Sequence, residues 1–210
     1  MTKKVLPRSF YTRDTHIVCR ELLGKVLIRK IDNHIVSGRI VEVEAYVGFD
    51  DLASHASKGR TSRTDVMFGP AGHAYVYLVY GMHHCLNIVT EKETYPAAVL
   101  IRALEPIEGV KIMTNNRTLS FFQSLPSTHH KLLTNLTSGP GKLCQALAVD
   151  KSFSGKDITR HDSELFIVDD DVRISTSSIT TTPRIGVAYA GASATLPWRY
   201  FITNSPFVSR

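Results

Sequence analysis

The fold is decided by the stretch Gly38-Arg39-Ile40-Val41-Glu42-Val43-Glu44-Ala45-Tyr46-Val47-Gly48. Its alternation predicts a β-strand over residues 38–47, because successive side chains of a strand point to opposite faces. Four side chains are expected on the core face: Val41, Val43, Ala45 and Val47. The opposite face is expected to carry Ile40, Glu42, Glu44 and Tyr46. The rest of the sheet should be built around this strand.

Glu44 and Tyr46 lie two residues apart, so a strand would place the carboxylate and the ring side by side on one face. This arrangement suits a site that must hold a flat ring near an ionisable group on a rigid element. The alternative is a solvated strand face with ordinary glutamates. This stretch alone favours that alternative, because glutamates are mostly exposed.

Length and composition are those of one globular domain. The chain has 210 residues, of which 43% are hydrophobic and 21% charged, as is typical of folded soluble proteins. Without repeats or linkers, one domain over residues 1–210 is expected. The net charge of +6 permits a polyanionic partner without requiring one. Three widely spaced cysteines without a C-x-x-C pair indicate reduced thiols and argue against a metal site.

The first thirty residues carry charges throughout and contain no apolar stretch long enough for a signal peptide or a membrane span. No later segment approaches the length of a membrane span. We therefore expect a soluble protein without a membrane partner, cytoplasmic by default.

Several flanking elements are also predicted. Asp14 is expected to cap a helix whose apolar face holds Ile17, Val18, Leu22 and Leu23. A strand is expected over residues 25–31. Residues 48–72 are expected to form a long loop, and loops of that length in compact domains are usually functional. A hairpin is predicted from residues 165–168 and 172–175.

Two β-rich runs flanking Gly81 predict a hairpin over residues 74–89, with Tyr80, Gly81 and Met82 at its tip. Large side chains at such a tip are poorly buried, and exposed apolar tips suggest insertion into a partner. The next strand, residues 97–103, should place Leu100 and Arg102 on one face.

Other patterns of catalysis and binding are missing from the sequence. There is no P-loop, no G-x-G-x-x-G after a strand and no G-x-S-x-G. His83 and His84 are adjacent, so a strand would point them to opposite faces and they would not chelate a metal together. Gly139-Pro140-Gly141 before a helix could present N–H groups to a phosphate, although an ordinary turn is favoured. Glu44 is left as the best candidate for a general base acting on water.

Six segments carry a family resemblance, in order along residues 8–209. They are Arg39-Ile40-Val41-Glu42-Val43-Glu44-Ala45-Tyr46, Ser54-His55, Tyr75-Val76-Tyr77-Leu78-Val79-Tyr80-Gly81-Met82 with Cys85 and Asn87, Arg102-Ala103-Leu104-Glu105-Pro106, Ser138-Gly139-Pro140-Gly141-Lys142-Leu143-Cys144-Gln145-Ala146-Leu147 and Pro183-Arg184-Ile185-Gly186-Val187. They resemble the alkyladenine (3-methyladenine) DNA glycosylases, which lack the helix–hairpin–helix motif. The resemblance implies an α+β fold: a single mixed domain with a curved, mainly antiparallel β-sheet, flanking helices and a protruding β-hairpin.

The resemblance also implies roles for individual residues. Glu44 would be the general base that activates water. Arg102 would help to hold that water and the backbone of a flipped nucleotide. Tyr46 and Tyr77 would stack on the extruded base, and His55 would contact its ring.

Further roles concern the duplex and the selection of the base. Tyr80, with Met82 beside it, would fill the gap left in the DNA. Asn87 would obstruct the 2-amino group of guanine. Backbone groups of Ile185 and Gly186 would contact the base edge. His83 and His84 are the one departure, since the resemblance leads us to expect at least one aromatic or apolar residue at these two hairpin positions.

The expected activity is hydrolysis of the N-glycosidic bond of alkylated purines, 3-methyladenine and 7-methylguanine, with hypoxanthine and ethenoadenine left open. The expected partner is double-stranded DNA containing damaged purines, bound by a monomer without a metal or organic cofactor. No lysine is positioned for a Schiff base, so no lyase activity is expected. The location would be the nucleoid region of the cytoplasm in a bacterium or the nucleus in a eukaryote.

Two alternatives stay open at this point. A non-catalytic DNA-damage-binding protein on the same fold would need neither Glu44 nor Arg102. A hydrolase of free nucleosides would need neither the hairpin tip nor the basic charge.

Overall fold

The computed structural model describes residues 4–117 and 130–209, which form a mixed α+β structure and confirm the predicted fold class. The strands are β1 (Lys4–Val5), β2 (Val26–Ile31), β3 (His34–Val47), β4 (Ala74–Val79), β5 (His83–Val89), β6 (Ala97–Glu108), β7 (Leu165–Asp169), β8 (Ile179–Thr182) and β9 (Arg199–Ile202). The α-helices are α1 (Arg8–Tyr11), α2 (Thr15–Leu22), α3 (Val110–Asn116), α4 (His130–Leu136) and α5 (Pro140–Ala146).

All nine of these strands belong to one sheet, in the order β1-β7-β2-β3-β6-β5-β4, with β9 pairing with both β3 and β8. The strand pairs in this part of the chain are antiparallel. Strand β3 contains the predicted central stretch. One edge of β3 pairs with β6 over residues 37–47, and its other edge pairs first with β2 and then with β9.

The predicted faces of β3 are correct except at its start. Val43 and Ala45 lie in the main hydrophobic core, but Ile40 lies there too, and Val41 is buried outside that cluster. The reason is a register shift against β6 on either side of Glu42. A bulge of this kind inserts an extra residue and reverses the side-chain alternation on one side of it. Glu42 and Glu44 remain together on one face.

Helix α2 begins as predicted. The Asp14 carboxylate accepts a hydrogen bond from the Ile17 N–H at 3.0 Å, which satisfies one of the unpaired donors of the first turn. Val18 and Leu22 are buried in the core, whereas Ile17 is exposed, so the predicted apolar face was one residue too wide. The expected loop at residues 48–72 contains two short 3₁₀ helices, His55–Lys58 and Asp65–Phe68.

The hairpin of β4 and β5 is confirmed, but the hairpin predicted at residues 165–175 is wrong. Strand β7 does form, and it pairs with β1 on one edge and β2 on the other. Neither edge is therefore available to residues 172–175. The turn carboxylates Asp169 and Asp170 bind Lys25 and Arg39 instead, each at 2.8 Å.

Within the described ranges, no helix is long and apolar enough to cross a membrane.

Candidate active site

A cavity of about 450 Å³ opens beside β3 and contains most of the predicted site residues. Tyr77, His55 and Tyr46 line it together with the segment after β8. Arg102 and Asn87 also line it. Strands β3, β4, β5 and β6 are neighbours in the sheet, which explains how residues from distant segments share one cavity.

Glu44 lies beneath this cavity and is fully buried. Its Oε1 accepts a hydrogen bond from the Ile185 N–H at 2.8 Å, and its Oε2 accepts one from the Tyr46 hydroxyl at 2.9 Å. Arg102 Nη1 lies 3.3 Å from Oε2. These three partners all line the cavity. A carboxylate offers about four acceptor positions, and these contacts take up three of them.

Arg102 lies between two buried glutamates. Its Nε donates to Glu42 Oε1 at 3.0 Å, while Nη1 approaches Glu44. Burial alone would lower the pKa of Arg102, but the carboxylates of Glu44 and Glu42 outweigh that effect and raise it. The guanidinium is therefore a fixed cation beside Glu44, and it lines the cavity.

Tyr77 and His55 form an aromatic wall. Their rings meet edge-to-face with centroids 4.4 Å apart, and His55 Nδ1 lies 3.0 Å from the Tyr75 hydroxyl. Burial, with a contribution from the nearby Arg63, lowers the pKa of His55 to about 4. Burial also raises the pKa of Tyr77. Both groups are therefore neutral at physiological pH. The aromatic wall itself is uncharged, and the guanidinium of Arg63 lies at its edge.

Tyr46 also lines the cavity, and it packs beside an ion pair whose two residues were not predicted as site residues. The Arg184 guanidinium lies 4.7 Å from the Tyr46 ring centroid and forms a bidentate pair with Asp51, at 2.6 and 2.7 Å. Both partners are fully buried. Arg184 stands directly before the predicted Ile185-Gly186 pair, and this position was the only signal that could have identified it.

The Ile185-Gly186 loop reaches the cavity, but the two residues differ in what they can offer. The Ile185 N–H is already bound to Glu44. Gly186 has a φ of +80°, a conformation that other residues rarely adopt. The predicted backbone contact to a ligand would therefore come from Gly186 and the carbonyl groups of the loop, while Ile185 holds the carboxylate.

Asn87 is buried with its amide held in one orientation. Its Nδ2 donates to the Tyr75 carbonyl at 3.1 Å and to the Cys85 carbonyl at 3.4 Å. The side chain lines the cavity and cannot swing aside without losing these bonds. It can therefore act as a steric filter.

The hairpin tip stands outside the core. Tyr80 is 86% exposed and Met82 is 69% exposed, and Tyr80 also lines the mouth of the cavity. Tyr80 and Gly81 both have positive φ, at +52° and +71°, and the Met82 N–H donates to the Val79 carbonyl at 3.1 Å. Positive φ at both central residues is the requirement of a type I′ hairpin turn. The Tyr80 backbone thus adopts a conformation that is unusual for a tyrosine. Its side chain makes few packing contacts.

His83, the first residue of the unexpected His83-His84 pair, packs against the start of α5. A Cβ added to Gly141 would lie 3.1 Å from His83 Cβ, so the hairpin base packs closely on the turn that starts α5. Gly141 thus has a packing role in the first turn of α5, where a larger side chain would meet His83. In the part of the chain that the structure describes, no three His, Cys, Asp or Glu side chains are grouped to hold a metal.

Comparison with known proteins assigns the chain to a family. The family described as Methylpurine-DNA glycosylase (MPG) matches residues 9–206. A protein of Methanocella arvoryzae is 51% identical, with 98% of this chain and 96% of the relative covered. One from Desulfitobacterium hafniense is 47% identical, with 98% of each chain covered. Both carry the name "Putative 3-methyladenine DNA glycosylase".

Proposed function

This chain belongs to the methylpurine-DNA glycosylase family, and on that premise we propose that it flips alkylated purines from duplex DNA and hydrolyses their N-glycosidic bond with water activated by Glu44. The chain is a monofunctional DNA glycosylase, and the family resemblance predicted from its sequence is confirmed. The proposed substrates are 3-methyladenine and 7-methylguanine. The observation that carries the proposal is the meeting of Tyr46, Arg102 and Ile185 on Glu44, at the floor of one cavity.

The chemistry follows from the nature of the substrate. Alkylation at N3 or N7 makes a purine cationic and weakens its bond to the sugar. The enzyme then needs a base for the attacking water and a negative charge near the oxocarbenium-like sugar of the transition state. Glu44 would supply both. Its one remaining acceptor position would take the proton of a water at the cavity floor, and its carboxylate would provide the negative charge.

The aromatic walls supply recognition. A cationic base between the Tyr46 and Tyr77 faces would gain about 0.5–2 kcal/mol from cation–π attraction. His55 is neutral above pH 5, given its lowered pKa of about 4, so it does not repel such a base. Asn87 would disfavour guanine-type bases relative to adenine-type bases, because its fixed bulk meets their 2-amino group, so 7-methylguanine would be released more slowly than 3-methyladenine.

The hairpin tip supports base flipping. Extruding a base from the stack costs a few kcal/mol, and an inserted side chain offsets part of that cost by filling the gap. Tyr80 stands at the cavity mouth with 86% of its surface exposed, so it can enter the stack while the base occupies the cavity.

One assay tests the function. Duplex DNA treated with a methylating agent is incubated with the protein, and the released bases are separated and identified. Release of 3-methyladenine and 7-methylguanine that leaves abasic sites without strand cleavage is the expected result. Binding without release would establish a DNA-damage-binding protein instead. Release from free nucleosides but not from the duplex would establish a nucleoside hydrolase.

A further inference from the structure

Glu42 is a second fully buried carboxylate in the site, and the proposed chemistry does not use it. Its Oε1 accepts hydrogen bonds from Arg102 Nε at 3.0 Å, Arg199 Nε at 2.6 Å and Ser209 Oγ at 2.8 Å. Its Oε2 accepts the Ser209 N–H at 2.6 Å. A buried charge is costly unless it is paired and fully hydrogen-bonded, and this carboxylate meets that condition through three residues from three segments.

The same contacts fix the orientation of Arg102. Its Nε is held by Glu42 and its Nη2 donates to Ser209 Oγ at 3.3 Å. The guanidinium is planar, with donors in a fixed fork, so these two bonds determine its plane. Nη1 is the nitrogen left to approach Glu44 and the cavity.

This orientation matters because arginine and carboxylate groups prefer bidentate pairs. If the guanidinium were free to turn, two of its nitrogens could face Glu44 and fill its last acceptor position. Held as it is, Arg102 makes a single contact with Glu44, at 3.3 Å. The positive charge of Arg199, whose side chain is partly buried, balances the negative charge of Glu42. The four groups Glu42, Glu44, Arg102 and Arg199 therefore sum to zero charge.

We propose that Glu42 and Ser209 are positioning residues for the reaction. They hold Arg102 in a one-point contact with Glu44 and so leave the base open to its water, and Arg199 neutralises Glu42. This inference rests on the function proposed above. It assigns a task to the C-terminal segment, which the sequence reading did not connect to the site.

Ser209→Ala is the sharpest test, because it removes the hydroxyl that contacts both Glu42 and Arg102 without changing any charge. The backbone N–H bond from residue 209 to Glu42 stays. Ser205→Ala is the matched control, since the Ser205 hydroxyl accepts from the Phe207 N–H at 3.4 Å and belongs to the same segment. The measurements are the single-turnover rate of base release, the affinity for lesion duplex and the melting temperature.

For Ser209→Ala we expect the single-turnover rate to fall about tenfold, roughly 1.4 kcal/mol of transition-state stabilisation. Affinity should change less than about twofold, and Ser205→Ala should match the wild type. A merely structural role would lower affinity and melting temperature along with the rate. A Ser209→Ala rate within about twofold of wild type, or equal losses of rate and affinity, would overturn the inference.

A charge-conserving pair covers the case in which Ser209→Ala does not fold. Glu42→Gln with Arg199→Gln removes one negative and one positive charge together and weakens the hold on Arg102. Its rate should fall at least fivefold with affinity retained, and an unchanged rate would overturn the inference. If the wild type itself releases no base, the proposed function fails first and the inference falls with it.

Discussion

Glu44 accepts a hydrogen bond from the backbone N–H of Ile185, 141 residues further along the chain, at 2.8 Å. This bond joins the central strand to the loop after β8. The carboxylate is thereby held by the same segment that forms one wall of the cavity. One hydrogen bond therefore fixes both the position of this loop beside the cavity and the orientation of the Glu44 carboxylate.

Glu44→Gln should abolish base release almost completely while affinity for lesion DNA is kept. Glutamine keeps the shape and an oxygen for the Ile185 N–H, but it is not a proton acceptor of useful strength. Single-turnover release and duplex binding are measured together, with Glu108→Gln, an exposed change on β6, as the control. Activity within about tenfold of wild type, a loss under about 1.4 kcal/mol, would exclude Glu44 as the base.

Asn87→Ser should raise excision of guanine-type bases relative to adenine-type bases. The asparagine amide is fixed by the carbonyls of Tyr75 and Cys85, and the shorter side chain opens room where the 2-amino group would sit. A panel of lesion duplexes measures the ratio, and the adenine-type rate serves as the internal control. An unchanged ratio would show that Asn87 has no part in the selection.

Tyr80→Ala should weaken binding to lesion duplex by about 1–3 kcal/mol, the value of one aromatic stacking contact. The loss should be smaller on single-stranded DNA, where no stack is opened. Tyr80→Phe is the control, since it keeps the ring. The melting temperature should hardly change, because the side chain is 86% exposed. Equal losses on both substrates would mean that Tyr80 is not a wedge.

Arg63→Gln should increase the preference for cationic over neutral lesions. The Arg63 guanidinium lies 5.2 Å from the Tyr77 ring centroid and has no acidic partner among the ion pairs of the described residues, whereas Arg60 is paired with Asp65 at 2.6 Å. A single exposed charge is worth up to about 1 kcal/mol, roughly fivefold. Excision of 7-methylguanine is compared with that of hypoxanthine in Arg63→Gln and in the matched control Arg60→Gln. Identical shifts in both variants would contradict the role.

His55→Gln should reduce the loss of folding stability that occurs as the pH falls from 6.5 towards 4. The native pKa of His55 is lowered to about 4 from an ordinary 6.5, so between these values the unfolded chain binds more protons than the native protein. Stability therefore falls as the pH is lowered from 6.5 towards 4. Melting temperatures across this range test the prediction. Parallel profiles for wild type and variant would show that His55 does not contribute.

The sequence predicted those features that depend on local pattern. Alternation located β3, and the turn residues located the β4–β5 hairpin. The predictions failed where tertiary contacts determine the structure. The bulge at Glu42 placed Ile40 in the core. Both edges of β7 are already paired, which excluded the predicted hairpin partner. The positions of Arg184 and Ser209 depend on partners more than a hundred residues away, which no local pattern records. The expected monomer stays a prediction.

The buried charges around the cavity have a consequence for behaviour at different ionic strengths. Glu42, Glu44, Arg102, Arg184 and Asp51 all lie beneath the surface, where dissolved ions screen little. Attraction between a net-positive protein and DNA phosphates, in contrast, weakens steeply as salt is added. The protein thus separates two electrostatic tasks. Salt should govern how long it stays on DNA, while the rate of bond cleavage, once a base has entered the cavity, should hardly respond.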